Sequence, residues 1–210
     1  CEQDTEGFLA KYNENGELDW AKRFQGIGNA VAVTESGELY VTGSFNGESV
    51  FGPGEENETT LLETVGGADC FLAKFSTGGS LEWALAIGGN GSDVGEAVGA
   101  LSDGSVVVAG KFDNNLELDS PPEGYSDLIS PEGEDNLFLA RFTPSGEAIW
   151  LKGAFCESVI LPHDLAIGPD DTIAVTGYFA DNATFGQDEP NETVLTSAGG
   201  ADIFIAKFEP

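Results

Sequence analysis

Phe71-Leu72-Ala73-Lys74-Phe75 is one of four copies of a single phrase in this chain. The others are Phe8-Leu9-Ala10-Lys11-Tyr12, Phe138-Leu139-Ala140-Arg141-Phe142 and Phe204-Ile205-Ala206-Lys207-Phe208, so the leading Phe residues stand 63, 67 and 66 positions apart. Self-similarity at a long, nearly fixed period marks a repeat architecture, in which each unit buries its core against its neighbours. The repeat reaches well beyond the pentapeptide. Each of the first three copies is followed by a turn glycine (Gly16, Gly79, Gly146) and then by a tryptophan (Trp20, Trp83, Trp150), which together are all the tryptophans of the chain. Three further segments, 29–43, 96–110 and 163–177, align without gaps, end on Gly43, Gly110 and Gly177, and continue into Phe45, Phe112 and Phe179. The shorter first spacing arises between Trp20 and Asn29, a length change of the kind a surface loop tolerates.

Between clusters of Gly, Asn, Asp and Ser, short segments alternate apolar and polar residues, the pattern of antiparallel strands rather than helices. Residues 71–75, the turn Ser76-Thr77-Gly78-Gly79 and residues 81–87 read as a hairpin. Residues 96–101, the turn Ser102-Asp103-Gly104 and residues 105–109 read as a second. Four strands per unit is the composition of a propeller blade. The chain therefore reads as all-β: a single domain over 1–210 made of β-propeller-type repeats of four-stranded antiparallel blades. The repeats fall at roughly 4–68, 69–134 and 135–201, with the first strand of a fourth at 202–210. The rest of each unit is an acidic connection (46–68, 113–134, 181–201), in which paired apolar segments such as Val50-Phe51 and Leu61-Leu62 predict an extra hairpin.

Strands converge on a propeller axis, so the smallest side chains belong innermost. That places 30–33, 97–100 and 164–167 at the axis, followed by the 40–42 type, then the Phe-Leu-Ala-Lys type, with the Trp strand outermost. The tryptophans are then wedges between blades, a reading preferred to an exposed row that stacks on sugars. Alternation puts Phe, Ala and the second aromatic on one face of the repeated strand, and Leu and the cation on the other. Counting strands gives an outer hairpin at 8–24, two full blades at 29–87 and 96–155, and three strands of another at 163–208. Since the repeated strand stands at both ends, the ring does not close within these residues. A partial propeller is expected, read first as a segment of a longer one and second as part of a ring built from several chains. Bare edge strands at both ends would otherwise invite edge-to-edge pairing.

The formal charge is −29, from 37 acidic and 8 basic residues. Nucleic acid and anionic membrane surfaces are disfavoured as partners, because binding them needs neutralising Lys and Arg. A hydrophobic content of 40% in regular alternation argues against disorder. The acidity is read first as a solvated surface and second as cation binding on acidic loops; no apolar run is long enough to span a membrane as a helix. Half of the basic residues (Lys11, Lys74, Arg141, Lys207) share one repeat position, which predicts a recurrent ion pair between strands, with Asp69 or Asp202 as the expected partners. The repeat positions Phe8, Lys11, Trp20, Gly43, Phe71, Lys74, Trp83, Gly110, Phe138, Arg141, Trp150, Gly177, Phe204 and Lys207 are read as architectural. Cys70 and Cys156 fall outside the repeat pattern and are expected as buried free thiols, in preference to a disulfide. Cys1 fits a lipid-anchored surface protein and fits a cloning or domain boundary equally well.

No catalytic or cofactor-binding residue is nominated. Asn90 and Asp93, in Gly88-Gly89-Asn90-Gly91-Ser92-Asp93-Val94-Gly95, are weak calcium candidates, because this stretch matches the start of the calcium-binding nonapeptide of parallel β-rolls. Such sites need stacked tandem copies and a bulky apolar residue where Gly95 stands, so a propeller loop is the preferred reading. Ser102-Asp103-Gly104 and Pro169-Asp170-Asp171 lack the aromatic of a sialidase Asp-box and read as hairpin turns. His163, the one histidine, reads as an ordinary loop residue, and Asn57-Glu58-Thr59, Asn90-Gly91-Ser92, Asn182-Ala183-Thr184 and Asn191-Glu192-Thr193 fit the glycosylation sequon.

Taken along the chain, Asp69, Phe71, Lys74, Trp83, Gly88-Gly89-Asn90-Gly91-Ser92-Asp93, Asp103-Gly104 and Gly110 resemble the bacterial β-propeller repeat family labelled SBBP. The likeness runs from about Gly7 to the end, but repeat one has Gly26-Ile27-Gly28 in place of the glycine-rich loop and repeat three has Phe155-Cys156-Glu157-Ser158. The resemblance implies a secreted or cell-surface bacterial protein without an established catalytic set. The leading expectation is a non-catalytic extracytoplasmic module that binds a protein or glycan at the cell surface, or acts as a scaffold. The alternatives are a propeller hydrolase or lyase acting on polysaccharide through acidic residues, and a purely structural spacer.

Overall fold

The computed structural model describes residues 5–62, 66–118, 121, 127–130 and 135–209. Cys1 lies outside them, as does much of the 113–134 connection. The described residues hold no helix and seventeen strands. The first eight are β1 (Glu6–Tyr12), β2 (Leu18–Gln25), β3 (Ile27–Val33), β4 (Leu39–Phe45), β5 (Glu48–Phe51), β6 (Thr59–Leu62), β7 (Asp69–Phe75) and β8 (Leu81–Gly88). Then follow β9 (Val94–Ala100), β10 (Val106–Phe112), β11 (Asn115–Leu118), β12 (Leu128–Ile129) and β13 (Asn136–Phe142). The last are β14 (Ala148–Cys156), β15 (Val159–Ile167), β16 (Ile173–Phe185) and β17 (Thr193–Phe208).

All pairings are antiparallel, and they sort into blades. β3-β4-β7-β8 is blade 1 and β9-β10-β13-β14 is blade 2; β15-β16-β17 are three strands of blade 3, and β1-β2 form a separate hairpin. This is the inner-to-outer order that crowding at the axis predicts, and β9 lies between the inner strands β3 and β15. The architecture is that of a partial β-propeller. The extra hairpin of the first connection is present as β5-β6, and the second connection contributes β11-β12. In the third there is no separate hairpin, because β16 and β17 run on past the blade. These additions latch blade to blade: β11 pairs Glu117 with Gly88 at the end of β8, and the tail of β16 pairs Ala183 with Cys156 at the end of β14.

The core lies in three layers between successive sheets. Leu9 and Trp20 of the hairpin pack on Phe71, Ala73 and Phe75 of blade 1. Cys70, Leu72 and Trp83 pack on Phe138, Ala140 and Phe142 of blade 2, and Leu137, Leu139 and Trp150 pack on Phe204, Ala206 and Phe208 of blade 3. Alternation along one strand thus serves two layers at once. Each tryptophan sits in the layer toward the following blade. Trp20 Nε1 donates to the Thr77 carbonyl at 3.3 Å and Trp83 Nε1 to the Pro144 carbonyl at 3.1 Å, so these two indoles lie over the next blade's hairpin turn. The glycines Gly43, Gly110 and Gly177 face bulges in their inner strands. A Cβ there would overlap the carbonyl oxygens of Ile27, Val94 and Leu161.

The recurrent ion pair exists, but its partners differ from those expected. Lys74 Nζ meets Glu38 at 2.8 Å and Glu82 at 3.0 Å, and Arg141 meets Asp103 at 2.9 Å. The reason is register. Lys74 lies opposite Tyr40 and Trp83, whereas Asp69 lies opposite Phe45, five residues back along the strand and thus about 17 Å away. Asp202 likewise turns elsewhere and accepts from the Ala198 N–H at 2.5 Å. His163 lies within β15 rather than in a loop, beside the Tyr178 ring at 5.4 Å. Cys70 and Cys156 are both free and buried.

Candidate functional site

The glycine-rich loop of repeat two connects β8 to β9 and is tied down at every turn. The Asp93 N–H donates to the Ala68 carbonyl at 2.7 Å, and Asp93 Oδ2 accepts from the Gly89 N–H at 2.9 Å. Asn115 Oδ1 accepts from the Asn90 N–H at 2.8 Å, and Asp113 Oδ1 from the Ser92 N–H at 3.0 Å. Glycine is required at Gly91 by close approach, since a Cβ would overlap the Asp113 carboxylate. The loop is therefore a built element that packs on the start of the β11-β12 connection.

The two calcium candidates point to different places. Asn90 is exposed, and Asp93 is wholly buried with Oδ1 lacking a hydrogen-bond partner. Burial pushes the Asp93 carboxyl up to about 8, and the nearby Asp69 and Asp113 charges push in the same direction. Asp93 thus holds a proton at neutral pH and reaches neither solvent nor a substrate. Among the described residues no three His, Cys, Asp or Glu side chains converge to hold a metal. Cys70, next to this cluster, is a buried thiol whose pKa is also driven up by burial, so it is an unreactive group at neutral pH.

Outside the loop lies a cleft of about 530 Å³, lined by Asn90, Asn114, Asn115, Glu117, Asp127, Ile129 and Ser130. Its floor is set by the pairing of Asn115 with Ile129 and Leu116 with Leu128, and Asn114 turns the chain through a left-handed backbone with φ 58°. Glu117 Oε1 accepts from Asn115 Nδ2 at 2.6 Å, and Asp113 Oδ1 accepts from Asn114 Nδ2 at 2.9 Å. Amide groups, carboxylates and one exposed isoleucine give a surface that donates and accepts hydrogen bonds to neutral polar groups and repels anions. Of the residues singled out in the sequence, Asn90 alone lines this cleft.

A second recurrent element is invisible in a search for isolated sites. Phe51-Gly52-Pro53-Gly54-Glu55-Glu56-Asn57-Glu58-Thr59 and Phe185-Gly186-Gln187-Asp188-Glu189-Pro190-Asn191-Glu192-Thr193 share Phe-Gly, Glu and Asn-Glu-Thr at matching offsets. Both fold alike. Glu58 Oε2 accepts from the Gly54 N–H at 2.6 Å and Glu192 Oε2 from the Asp188 N–H at 2.9 Å. Glu55 binds Lys22 at 2.7 Å and the Leu81 N–H at 2.6 Å, and Glu189 binds Lys152. The Asn-Glu-Thr triplets read as sequons are parts of this turn, in which Thr59 and Thr193 donate to the Asn57 and Asn191 carbonyls.

No family model matches the chain. An uncharacterized WD repeat-containing protein of Acanthamoeba polyphaga mimivirus is 24% identical over 260 aligned positions, which cover 98% of this chain and 18% of that protein. The chain thus spans less than a fifth of that relative's length. A crystal structure of a protein of unknown function from Bacteroides caccae aligns with a TM-score of 0.32 and 13% identity, over 88% of this chain and 66% of that one.

Proposed function

We propose that this chain is a non-catalytic propeller-type module that binds or scaffolds a partner, with a glycan or protein segment held in the cleft beside the glycine-rich loop. The observation that carries the reading is the cleft itself, about 530 Å³ in volume, with Asn90, Glu117 and Asp127 among its walls and a hydrogen-bonded loop on one side. Side-chain amides and carboxylates on a fixed backbone suit the hydroxyl and amide groups of sugars or peptides. The WD repeat-containing name of the mimiviral relative supports the propeller reading. The SBBP-type motifs around Gly88–Asp93 favour placement outside the cytoplasm or at a cell surface.

A glycan and peptide array read with the chain, and repeated with Asn90→Ala and Glu117→Gln, tests the proposal. The expected result is a defined set of ligands whose binding falls about tenfold in either variant, the scale of one lost hydrogen bond to a charged or well-placed group. Binding that neither variant changes would remove the cleft from the reading, and an array without ligands would remove the binding function.

A further inference from the structure

Each inner strand carries a bulge, and the three bulges fall at one repeat position. The pairing of β3 with β4 slips between Gly28 and Ala30, that of β9 with β10 between Gly95 and Ala97, and that of β15 with β16 between Pro162 and Asp164. The extra residues are Asn29, Glu96 and His163. Across each bulge stands a glycine, because a Cβ on Gly43, Gly110 or Gly177 would strike a carbonyl of the inner strand. A bulge gives up ladder pairing and re-aims a side chain. Here the frame is kept three times, and the side chain it turns out is each time a different polar group: an amide, a carboxylate and an imidazole. Packing at equivalent places is served by equivalent residues, as at Phe71 and Phe138, so packing does not explain this choice.

Since β9 lies between β3 and β15, the three side chains form a row at one end of the inner strands. Asn29 Nδ2 donates to the Gly95 carbonyl at 3.0 Å, which leaves Asn29 Oδ1 as an acceptor. At the other side His163 lies beside the Tyr178 ring at 5.4 Å. Lys111 belongs to the same cluster, but its ammonium is held by Asp135 at 3.0 Å. Glu96, in the middle, is half-buried, and no hydrogen bond or ion pair among the described residues engages its carboxylate. Burial raises its pKa above the ordinary value, while the nearby Lys111 and His163 charges act the other way. We propose that the three bulges build a binding site, separate from the cleft, that takes a guanidinium group: Glu96 receives it, Asn29 Oδ1 accepts a further N–H, and the His163–Tyr178 ring pair offers it a flat surface. Guanidinium is the cation that combines several donors in one plane with stacking on rings, whereas an ammonium gains less from the rings. Anions are refused by Glu96 and by the −29 charge of the chain, which attracts cations in a salt-dependent way.

His163 is the one histidine of the chain, so its imidazole protons give a single NMR signal that reports on this site. The chain is titrated with an end-blocked Gly-Arg-Gly peptide, with methylguanidine, and with end-blocked Gly-Lys-Gly and Gly-Gln-Gly as controls. The expected result is a saturable shift with the arginine peptide that weakens as salt is raised, a weaker one with lysine and none with glutamine. Glu96→Gln keeps the size of the side chain and is checked for an unchanged thermal unfolding transition; it should bind about tenfold more weakly, the scale of a lost charged hydrogen bond. Tyr178→Leu removes the flat surface and should narrow the preference for arginine over lysine. Asn90→Ala and Glu117→Gln, both in the cleft, should leave the titration unchanged, so failure of the cleft reading and failure of this one are told apart. Tighter binding of the arginine peptide than of methylguanidine identifies a protein segment as the source of the group, and equal binding a small guanidinium compound; either sustains the site. A signal that neither guanidinium probe shifts saturably overturns the proposal. So does a lysine or glutamine peptide that binds as well as the arginine peptide, or a Glu96→Gln variant that binds as well as the native chain.

Discussion

Lys74 in blade 1 lies over the Tyr40 ring at 5.8 Å and bonds Glu38 at 2.8 Å and Glu82 at 3.0 Å. Lys207 holds the same repeat position in blade 3, and it is exposed and meets Glu209 at 3.1 Å. Blade 1 supplies two carboxylates because β4 and β8 flank the strand on both sides, one bringing the turn that carries Glu38 and the other bringing Glu82. In blade 3 the described residues place a strand on one side of this lysine's part of β17. The electrostatic consequence is direct. Burial pulls the Lys74 ammonium down, but the hydrogen bonds to Glu38 and Glu82 outweigh it and its pKa ends above the ordinary value. A repeat position therefore has no fixed energetic weight; the strands around it assign one.

The largest expected test of that comparison uses the aromatic at the head of the motif. Phe71→Ala should cost about 3–5 kcal/mol, the range for emptying a buried aromatic site, whereas Phe8→Ala should cost less than about 0.5 kcal/mol. Urea unfolding at dilute concentration measures both. Equal losses would mean that the hairpin face is covered, against its 78% exposure.

Next comes Asp93, whose counterparts in repeats one and three are absent. Its carboxyl titrates near 8 in the folded chain because of burial, well above the ordinary value of 3.8. The folded state therefore holds a proton that the unfolded chain gives up. This contribution is complete below about pH 4 and is lost as pH rises toward 8, at up to about 1.4 kcal/mol per pH unit. Asp93→Asn keeps an oxygen to accept from the Gly89 N–H and removes the titration. Between pH 5 and 7 the native chain should lose about 2–3 kcal/mol relative to the variant. Parallel stability curves for the two proteins would show that Asp93 is ionised and satisfied in the fold. At acid pH the opposite trend enters through Glu38, held below its ordinary value by the Lys74 hydrogen bond and losing that support as it protonates.

A smaller contrast returns to the two lysines. Lys74→Ala strands two half-buried carboxylates, and because both keep some solvent the expected cost is about 2 kcal/mol rather than the full cost of breaking a buried pair. Lys207→Ala should stay within about 0.5 kcal/mol. Thermal or urea unfolding decides it, and equal effects would show that the ion pair of blade 1 contributes no more than a surface pair.

These contrasts also explain what could be read from the residues beforehand. The fold was legible because Phe-Leu-Ala-Lys alternation and the Ala-rich inner segments each follow from local sterics, and local sterics repeat whenever the sequence does. The partners of Lys74 were not legible from spacing along the chain. They depend on which end of a strand lies opposite which turn, and that follows from the β4-β7 register and from the bulge between Lys74 and Phe75 in the β7-β8 pairing. The cleft was half visible: the loop that carries Asn90 has a conspicuous composition, whereas Asn114, Glu117 and Asp127 sit in an acidic connection that looks like any other. The clearest missed signal is the Phe-Gly-x-x-Glu-x-Asn-Glu-Thr turn of residues 51–59 and 185–193. Its two copies stand in repeats one and three and repeat two has none, so the turn does not follow the period of the pentapeptide.

The finest test separates the two reasons a turn glycine can be needed. Gly16 and Gly79 hold the same turn position with nearly the same backbone, φ 79° and φ 80°, so alanine pays the same left-handed penalty of about 1 kcal/mol at both. They differ in their surroundings. At Gly16 a Cβ would meet nothing within 4 Å, whereas at Gly79 it would come to 2.8 Å from Cδ2 of the Trp20 indole. Gly146 is intermediate, with Trp83 Cδ2 at 3.3 Å and φ 89°. Alanine should therefore destabilise in the order Gly79, Gly146, Gly16, with about 1 kcal/mol between the first and the last from overpacking at the blade-to-blade contact. The Trp20 Nε1 bond to the Thr77 carbonyl should weaken with it, which the indole's fluorescence would report. If the three variants lose equal stability, the indole yields without cost and backbone conformation alone explains the glycine. If the order holds, the tryptophan–glycine stack is a coupling element between blades, and its strength is set by how closely each hairpin turn approaches the tryptophan of the sheet before it.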